Sequence, residues 1–234
     1  MRTVFKKIET KMRIEKILLI LLVFLIAFSI WACNSKTTDN EIVTPNAEPN
    51  ITFTDIDGNT YQAKKIGNKY WMIENFKAQK SQTGQTLQGI YVYENNTSNS
   101  TAYGRLYTWN AAVEATPDGW HLPSKEEWEE LINAQGGSGA AGGNLKETGT
   151  IRWNSPNTGA TNSSGLTAVG SGFRGPDGIY YDLGKHGSYW GTANSAKDPF
   201  CVYIYHNSVN VISEVSPIDK TSGIAFAVRY VKNP

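Results

Sequence analysis

The chain has 234 residues and a net charge of +1, and its composition is 40% apolar and 12% aromatic. This apolar content can fill a core, which excludes a wholly disordered chain. Because phosphate binding needs a basic face, the near-neutral charge excludes nucleic acid as an expected partner. Two cysteines cannot build a disulfide-dense scaffold. Composition and length together indicate one globular domain plus something small, or at most two domains.

Residues 1–32 are predicted to be a lipoprotein signal peptide. Six basic residues lead into an apolar run from Ile17 to Ala32, and Cys33 follows at once. A positive start, an apolar middle and a small residue before the cut are typical of bacterial secretion signals. Cys33 then resembles the acylated first residue of a lipoprotein. We therefore expect lipid attachment at Cys33, palmitate included, to anchor the chain to a membrane.

Two alternatives stay open at this end of the chain. Met12 begins a shorter basic segment and could be the true start. The apolar run could instead be a signal anchor, although a helix of its length spans about 24 Å, short of the ~30 Å hydrocarbon core. Without residues 1–32 the net charge is −3, and residues 33–50 are predicted to be a flexible tether. The expected location is the cell envelope, at the outer membrane facing the exterior.

Residues 51–234 are predicted to form one α+β domain. Residues 51–76 alternate apolar and polar side chains, interrupted by the turn dipeptides Asp57-Gly58 and Gly67-Asn68. This pattern predicts three strands in a meander. The segment Asp55–Asn59 is predicted to be a hairpin turn rather than a calcium loop, because no glutamate closes a twelve-residue loop there.

Two helices are predicted in the middle of the domain. Apolar residues at helical spacing predict the first over residues 105–115. Ser124 and Glu127 have the spacing of a capping box, which predicts that the second begins there and ends at Gly136-Gly137. Its inner face carries Trp128, Leu131 and Ile132.

The rest of the domain is predicted to be loops followed by strands. Residues 79–101 and 136–187 are rich in glycine and polar residues, and the second is long enough to be a functional loop region. Residues 200–215 alternate around a turn near Asn207-Ser208, and residues 223–231 place alternate apolar side chains on one face. Strands at both ends predict a mixed or antiparallel sheet in which the N- and C-terminal strands meet.

No local pattern of catalytic or metal-binding residues is present. His121, His186 and His206 are well separated, and there is no HExxH or CxxC motif, so neither a metal site nor a cofactor is expected. Cys201, in a predicted strand, is expected to be a buried structural thiol. We therefore expect no enzymatic activity. The enzyme alternative would need a histidine or a carboxylate with a shifted pKa in a loop pocket, and His186 is the candidate.

Aromatic residues within the long irregular region form the candidate ligand-binding site. Aromatic faces beside hydrogen-bonding groups suit sugar rings and the hot spots of protein interfaces equally. The alternative is that these residues only fasten the loops to the core. The candidate residues are Trp153, Tyr180, Tyr181, Asp182, His186 and Trp190.

The domain resembles the Fibrobacter succinogenes major paralogous domain family. The resembling segments, in the order of the family, are DIDGNTYQAKKIGNKYWMIENF (55–76), YGRLYTWNAAVEATPDGWHLPSKEEWEEL (103–131), AGGNLKETG (141–149), GFRGPDGIYYDLG (172–184), YWGTA (189–193) and GIAFAVRYVKN (223–233). The resemblance implies a secreted or lipid-anchored bacterial protein. The progression is also similar to the C-type-lectin-like fold of formylglycine-generating enzymes. Their chemistry is not expected here, because it needs a reactive cysteine pair and the domain has only Cys201.

The sequence departs from the family pattern at two places. Family members often carry cysteines where this chain has Thr116 and Tyr230, which implies a family disulfide that this protein does without. The Trp-Ser-Ser-Thr of the family is Trp190-Gly191-Thr192-Ala193 here, so part of any site built on those hydroxyls is missing. We expect a lipid-anchored surface module that binds a polysaccharide or a surface protein. The alternative is a structural or accessory subunit of an envelope assembly.

Overall fold

The computed structural model describes residues 49–215 and 218–234. The predicted signal peptide, Cys33 and nearly all of the predicted tether lie outside the described residues. Within the described ranges, the chain is α+β, as predicted from the order of its patterns. The strands are β1 Ile51–Thr54, β2 Thr60–Ile66, β3 Lys69–Met72, β4 Ile90–Tyr91, β5 Leu106–Tyr107, β6 Ser171–Arg174, β7 Tyr180–Leu183, β8 His186–Ala193, β9 Asp198–Tyr205, β10 Val211–Val215 and β11 Val231–Lys232. The α-helices are α1 Thr97–Tyr103, α2 Trp109–Glu114, α3 Lys125–Ala134 and α4 Ala141–Leu145, and a 3₁₀ helix covers Tyr93–Asn95.

The first sheet contains the predicted meander and has the strand order β1-β2-β3-β11. Its first turn is the predicted hairpin: Asp55 Oδ1 accepts hydrogen bonds from the N–H groups of Asp57 and Asn59, at 2.9 and 2.8 Å. The strand β11 pairs antiparallel with β3, with Val231 opposite Trp71. The prediction that the two ends of the domain meet in one sheet is therefore confirmed.

The second sheet is built entirely from the later part of the chain, in the order β10-β9-β8-β6-β7. Its pairs are antiparallel except β6 with β8, which run parallel, so this sheet is mixed. The predicted hairpin around Asn207-Ser208 is β9–β10. It belongs to this sheet rather than to the one that holds the N-terminal strands, because β8 and β9 pair over eight residues each and bury β8 completely. The expectation of a single sheet was wrong.

The helices correct two predictions and confirm a third. Residues predicted as the start of the first helix form β5, because Tyr107 pairs with both Ile90 and Phe226. Helix α2 therefore begins after Thr108, whose side chain accepts a hydrogen bond from the Ala111 N–H. The predicted loop 79–101 contains most of α1. Helix α3 begins at the predicted capping box, with both reciprocal hydrogen bonds present.

The prediction that residues 136–187 are all loop was wrong, because this stretch contains α4, β6 and β7. Two buried cations fasten its remaining irregular segments. The Lys146 ammonium donates to the carbonyls of Thr158, Tyr205 and Ser208, at 2.8, 3.0 and 2.8 Å. The Arg229 guanidinium donates to four acceptors, namely Asn75 Oδ1 and the carbonyls of Met72, Leu166 and Thr167. Because buried polar groups need partners, these side chains satisfy carbonyls in loops and at the ends of β3 and β9. Neither role was predicted from the sequence.

Thr116 and Tyr230, which occupy the positions of the implied family cysteines, are neighbours in space. The hydroxyl groups of both donate to the carbonyl of Ala112, at 3.3 and 2.5 Å. Tyr230 is fully buried. Here hydrogen bonds to one carbonyl hold together the two segments that the resemblance links by a disulfide.

Candidate functional site

Two of the six sequence-predicted site residues lie in the core. Trp153 and Trp190 are 1% and 0% exposed. Their indole N–H groups donate to the carbonyls of Ala168 and Tyr107, at 2.9 and 2.7 Å. A tryptophan that is buried with its one donor satisfied packs as a core residue. Neither ring offers a face to solvent, so the candidate site has to be built from the other residues.

Tyr180 lies on β7 but faces away from Tyr181. Its ring packs 5.2 Å from that of Tyr93, and its hydroxyl donates to Asn95 Oδ1 at 3.2 Å. Opposite it on β6, Arg174 places its guanidinium 4.1 Å from the ring centre of Tyr91. Because successive strand residues point to opposite faces, this cluster and Tyr181 lie on different sides of the β6–β7 ribbon.

A row of five rings covers part of the other face of the second sheet. We call it the aromatic row. Its members are Tyr181 on β7, Phe173 on β6, His186 on β8, and Tyr205 and Tyr203 on β9. Phe173 is directly opposite Tyr181, and His186 is directly opposite Tyr205. Directly opposed residues share a face of the sheet, so strand register alone assembles the row.

The rings of the aromatic row are in continuous contact. The ring of Phe173 stacks on Tyr181 at 5.3 Å and meets His186 edge-on at 5.6 Å. His186 then stacks on Tyr205 at 4.5 Å and on Tyr203 at 5.5 Å. These distances are those of favourable aromatic pairs, each contributing about 0.5–1.5 kcal/mol beyond burial.

The aromatic row is open to solvent along much of its length. Tyr181 is 37% exposed, and Phe173, Tyr203 and Tyr205 are half-buried. On the β10 side the row continues into Ile212, which is 48% exposed and directly opposite Tyr203. Phe226 closes the inner side, with its ring about 6 Å from those of Phe173 and Tyr203. The result is a partly exposed apolar platform rather than a pocket.

His186 lies at the centre of the row and keeps a neutral ring. It is 9% exposed, and its Nε2 is buried without a hydrogen-bond partner among the described residues. Its Nδ1 is 3.4 Å from Ser188 Oγ. Burial lowers the pKa of His186 to about 4, against a smaller opposing effect of the Asp182 carboxylate. The imidazole therefore stays uncharged at neutral pH.

Carboxylates border the aromatic row. Asp177 accepts a hydrogen bond from the Tyr181 hydroxyl, which lowers the pKa of Asp177. Asp182, a sequence-predicted site residue, is exposed at the end of β7 and adopts a left-handed φ of 59°. Glu214 is exposed on β10. The tyrosine pKa of Tyr205 is raised by burial first and then by the charges of Glu214 and Asp182. The site thus combines aromatic faces with acceptor groups.

A second polar cluster lies between α3 and the first sheet. His121 Nε2 lies 2.9 and 3.0 Å from the two carboxylate oxygens of Glu127, and the Lys69 ammonium is 3.0 Å from the first of them. Burial alone would raise the pKa of Glu127, but these partners and the Ser124 N–H lower it to about 2. Since Glu127 also accepts the hydrogen bond from the Ser124 N–H in the capping box, both of its carboxylate oxygens have partners within the cluster. The cluster holds the helix start against the sheet.

Neither a metal site nor a membrane span is found in the part of the chain that the structure describes. Over residues 49–215 and 218–234, no group of three or more His, Cys, Asp or Glu side chains is placed to hold a metal ion. In the same ranges, no helix has the length and apolar character needed to cross a bilayer. Cys201 is buried in β9, as the sequence pattern predicts.

Comparison with known proteins identifies a family but no function. Neither a search of curated proteins nor a search of solved structures gave a match. A protein-family model described as the Fibrobacter succinogenes major domain matches residues 65–232, which include the whole aromatic row, α3 and Arg229. This match spans well over half of the chain and agrees with the segments through which the sequence resembles that family. The chain therefore belongs to the Fibrobacter succinogenes major domain family.

Proposed function

We propose that this protein is a non-catalytic, lipid-anchored surface module that binds carbohydrate on the aromatic row. The observation that carries the proposal is the partly exposed platform of Tyr181, Phe173 and Tyr205 with carboxylates at its border. The axial C–H groups of a pyranose ring pack on aromatic faces, and its hydroxyl groups donate to carboxylates. An open platform suits a polymer chain, which has to lie across the protein rather than enter a cavity.

The proposal also includes a fold, a membrane anchor and the absence of catalysis. A C-type-lectin-like fold is supported by the pairing of β3 with β11, which brings the ends of the domain together. Acylation of Cys33, with exposure at the outer membrane, is supported by the sequence pattern around Ala32-Cys33. Absence of catalysis is supported by the burial of Cys201 and of the His186 ring, which keeps both from reaching a substrate.

The binding proposal is tested with the full chain in detergent, applied to a glycan and polysaccharide array with and without calcium. Retention of a coherent sugar class is expected, with about a tenfold loss of affinity when Tyr181→Ala or Tyr205→Ala removes one platform ring. Tyr91→Ala is the matched control, because Tyr91 is a half-buried tyrosine on the opposite side of the β6–β7 ribbon. Equal losses in all three variants would contradict the assignment of the row.

A blank array with well-folded protein would overturn carbohydrate binding. Crosslinking in intact cells then distinguishes the alternatives, because an accessory subunit has a fixed protein neighbour in the envelope. The anchor is tested separately by labelling cells with a palmitate analogue. Incorporation is expected in the parent chain and not in Cys33→Ala, and equal labelling of both would contradict acylation at Cys33.

A further inference from the structure

We infer that the aromatic row prefers cationic amino-sugar polymers to neutral polymers and rejects polyuronates. This inference rests on the proposed carbohydrate-binding function and adds to it the charge class of the ligand. It follows from the charges around the row and from the partly exposed tyrosine rings within it.

Carboxylates act on the aromatic row from both ends. The Asp182 carboxylate, at the edge of the β6–β7 ribbon, acts on His186 and Tyr205 and also on Tyr93, on the opposite side of the ribbon. The Glu214 carboxylate, at the β10 end, acts on Tyr203 and on Tyr205. Glu214 is directly opposite Cys201 on β9, and it therefore shares the face of the sheet that carries Tyr203 and Tyr205. Both carboxylates are exposed and free to meet a ligand charge.

Two cations are sequence neighbours of residues in the row, and they are fewer than the carboxylates around it. Arg174 follows Phe173 but lies on the other face of the ribbon, over Tyr91, where it donates to the carbonyl of Gly223 at 3.1 Å. Lys185 is exposed in the turn before β8. Three carboxylates, those of Asp177, Asp182 and Glu214, thus adjoin the row against these two cations, of which Arg174 also acts on Asp177. A polyanion is repelled at such a surface, whereas a polycation is attracted.

The partly exposed tyrosine rings are the second observation. Tyr203 and Tyr205 are half-buried, so part of each ring is open to a ligand. A cation is attracted to the face of an aromatic ring. An ammonium group, which donates three hydrogen bonds and accepts none, can lie over these rings and donate to a neighbouring carboxylate. The buried ring of His186 takes no part in this contact.

A partly or wholly deacetylated hexosamine polymer combines both requirements. Its pyranose rings pack on the aromatic faces, and its free amines, when protonated, meet the carboxylates of Asp182 and Glu214. The N-acetylated polymer keeps the rings and loses the charge. A polyuronate keeps rings and replaces the ammonium with a carboxylate. These three polymers therefore separate stacking from charge recognition.

The test measures binding of three hexasaccharides to the full chain in detergent at mildly acidic pH. The probes are a glucosamine hexamer, an N-acetylglucosamine hexamer and a galacturonate hexamer. We expect the glucosamine hexamer to bind roughly fivefold more tightly than the N-acetylated one at low salt, with the preference falling as salt is added. The galacturonate hexamer is expected to bind least.

The variants Asp182→Asn and Glu214→Gln, combined, are expected to abolish the preference by weakening binding of the glucosamine hexamer more than that of the N-acetylated one, because the amide side chains lose the charge but still accept hydrogen bonds from sugar hydroxyl groups. Asparagine tolerates the left-handed backbone at residue 182. Glu130→Gln, an exposed change on α3, is the control. Equal affinity for the two hexosamine hexamers, or a preference that survives in the double variant, overturns this inference and leaves carbohydrate binding standing. Binding of none of the three hexamers to folded protein counts against both.

Discussion

Because His186 is buried in the aromatic row, the stability of the protein is expected to fall as the pH is lowered. Burial lowers the pKa of this imidazole from 6.5 to about 4. Below pH 6.5 the unfolded chain therefore binds a proton that the native protein does not bind until about pH 4. Lowering the pH from 6.5 to about 4 therefore lowers the free energy of unfolding. The decrease is about 1.4 kcal/mol per pH unit in the middle of this range. The loss amounts to about 2 kcal/mol at roughly pH 5.

His186 and the acidic groups affect stability over different pH ranges. Glu127 has a pKa of about 2 instead of 4.5, so the stability that its charge contributes is lost only as the pH falls from 4.5 towards 2. Aspartate and glutamate side chains in an unfolded chain are largely ionised above roughly pH 5. Denaturant unfolding over this range therefore reports on histidine.

The variant His186→Phe removes the titrating group and keeps a ring between Phe173 and Tyr205. Urea unfolding at a series of pH values is expected to show that the free energy of unfolding of this variant falls less with pH than that of the parent chain. The two losses are expected to differ by about 2 kcal/mol at roughly pH 5. His206→Gln, a half-buried histidine at the β9–β10 turn, is the control for losing any histidine. Parallel losses of stability in His186→Phe and the parent chain as the pH falls would contradict this role of His186.

Three further substitutions test the fold that holds the row. Arg229→Met leaves three buried acceptors and the half-buried Thr167 carbonyl without this donor, and urea unfolding is expected to show a loss of about 3 kcal/mol or more; a loss within error of zero would contradict a structural role for this cation. Ser124→Ala removes the capping hydrogen bond of α3 and is expected to lower the unfolding free energy by about 1 kcal/mol, with Ser163→Ala, at an exposed loop position, as the control that should change nothing. Gly172→Ala places a Cβ 2.3 Å from the Tyr181 carbonyl oxygen at a φ of +60°, so thermal unfolding should show a loss above about 2 kcal/mol, and a wild-type melting temperature would be incompatible with the β6–β7 register.

Local features of the fold were predictable because their causes are local. The turn at Asp55–Asn59 depends on one side chain bonding backbone groups two and four residues away. The start of α3 depends on Ser124 and Glu127, three residues apart. Helix α2 was predicted too long because Tyr107 is held in β5 by Phe226, more than a hundred residues later. Helical spacing carries no information about that partner.

The candidate site was only partly predictable. Tyr181, Asp182 and His186 were predicted from their position among polar loop residues, and they do lie at the aromatic row. Phe173, Tyr203 and Tyr205 were missed, because only the register of four strands brings them to His186. The alternation of Tyr203 and Tyr205 with the buried Ile204 on β9 was the one available signal.

Trp153 and Trp190 were placed among the candidates because glycine-rich sequence resembles a solvent-exposed loop. In the structure, glycine instead makes room for the buried Trp153 ring. A Cβ at Gly170 would lie 2.9 Å from Trp153 Cε3, closer than van der Waals contact allows. A glycine-rich segment can therefore be either an exposed loop or a backbone packed closely against a buried ring, and composition does not distinguish the two.

Carbohydrate binding on the aromatic row is tested most directly by NMR of the full chain in detergent with ring-labelled tyrosine. The probe is a hexosamine hexamer, titrated in its deacetylated and N-acetylated forms. The account predicts that the resonances of Tyr181, Tyr203 and Tyr205 shift together, while those of Tyr91 and Tyr180, on the opposite side of the β6–β7 ribbon, stay unchanged. Shifts confined to Tyr91 and Tyr180, or no shift in any tyrosine at saturating sugar, would contradict it.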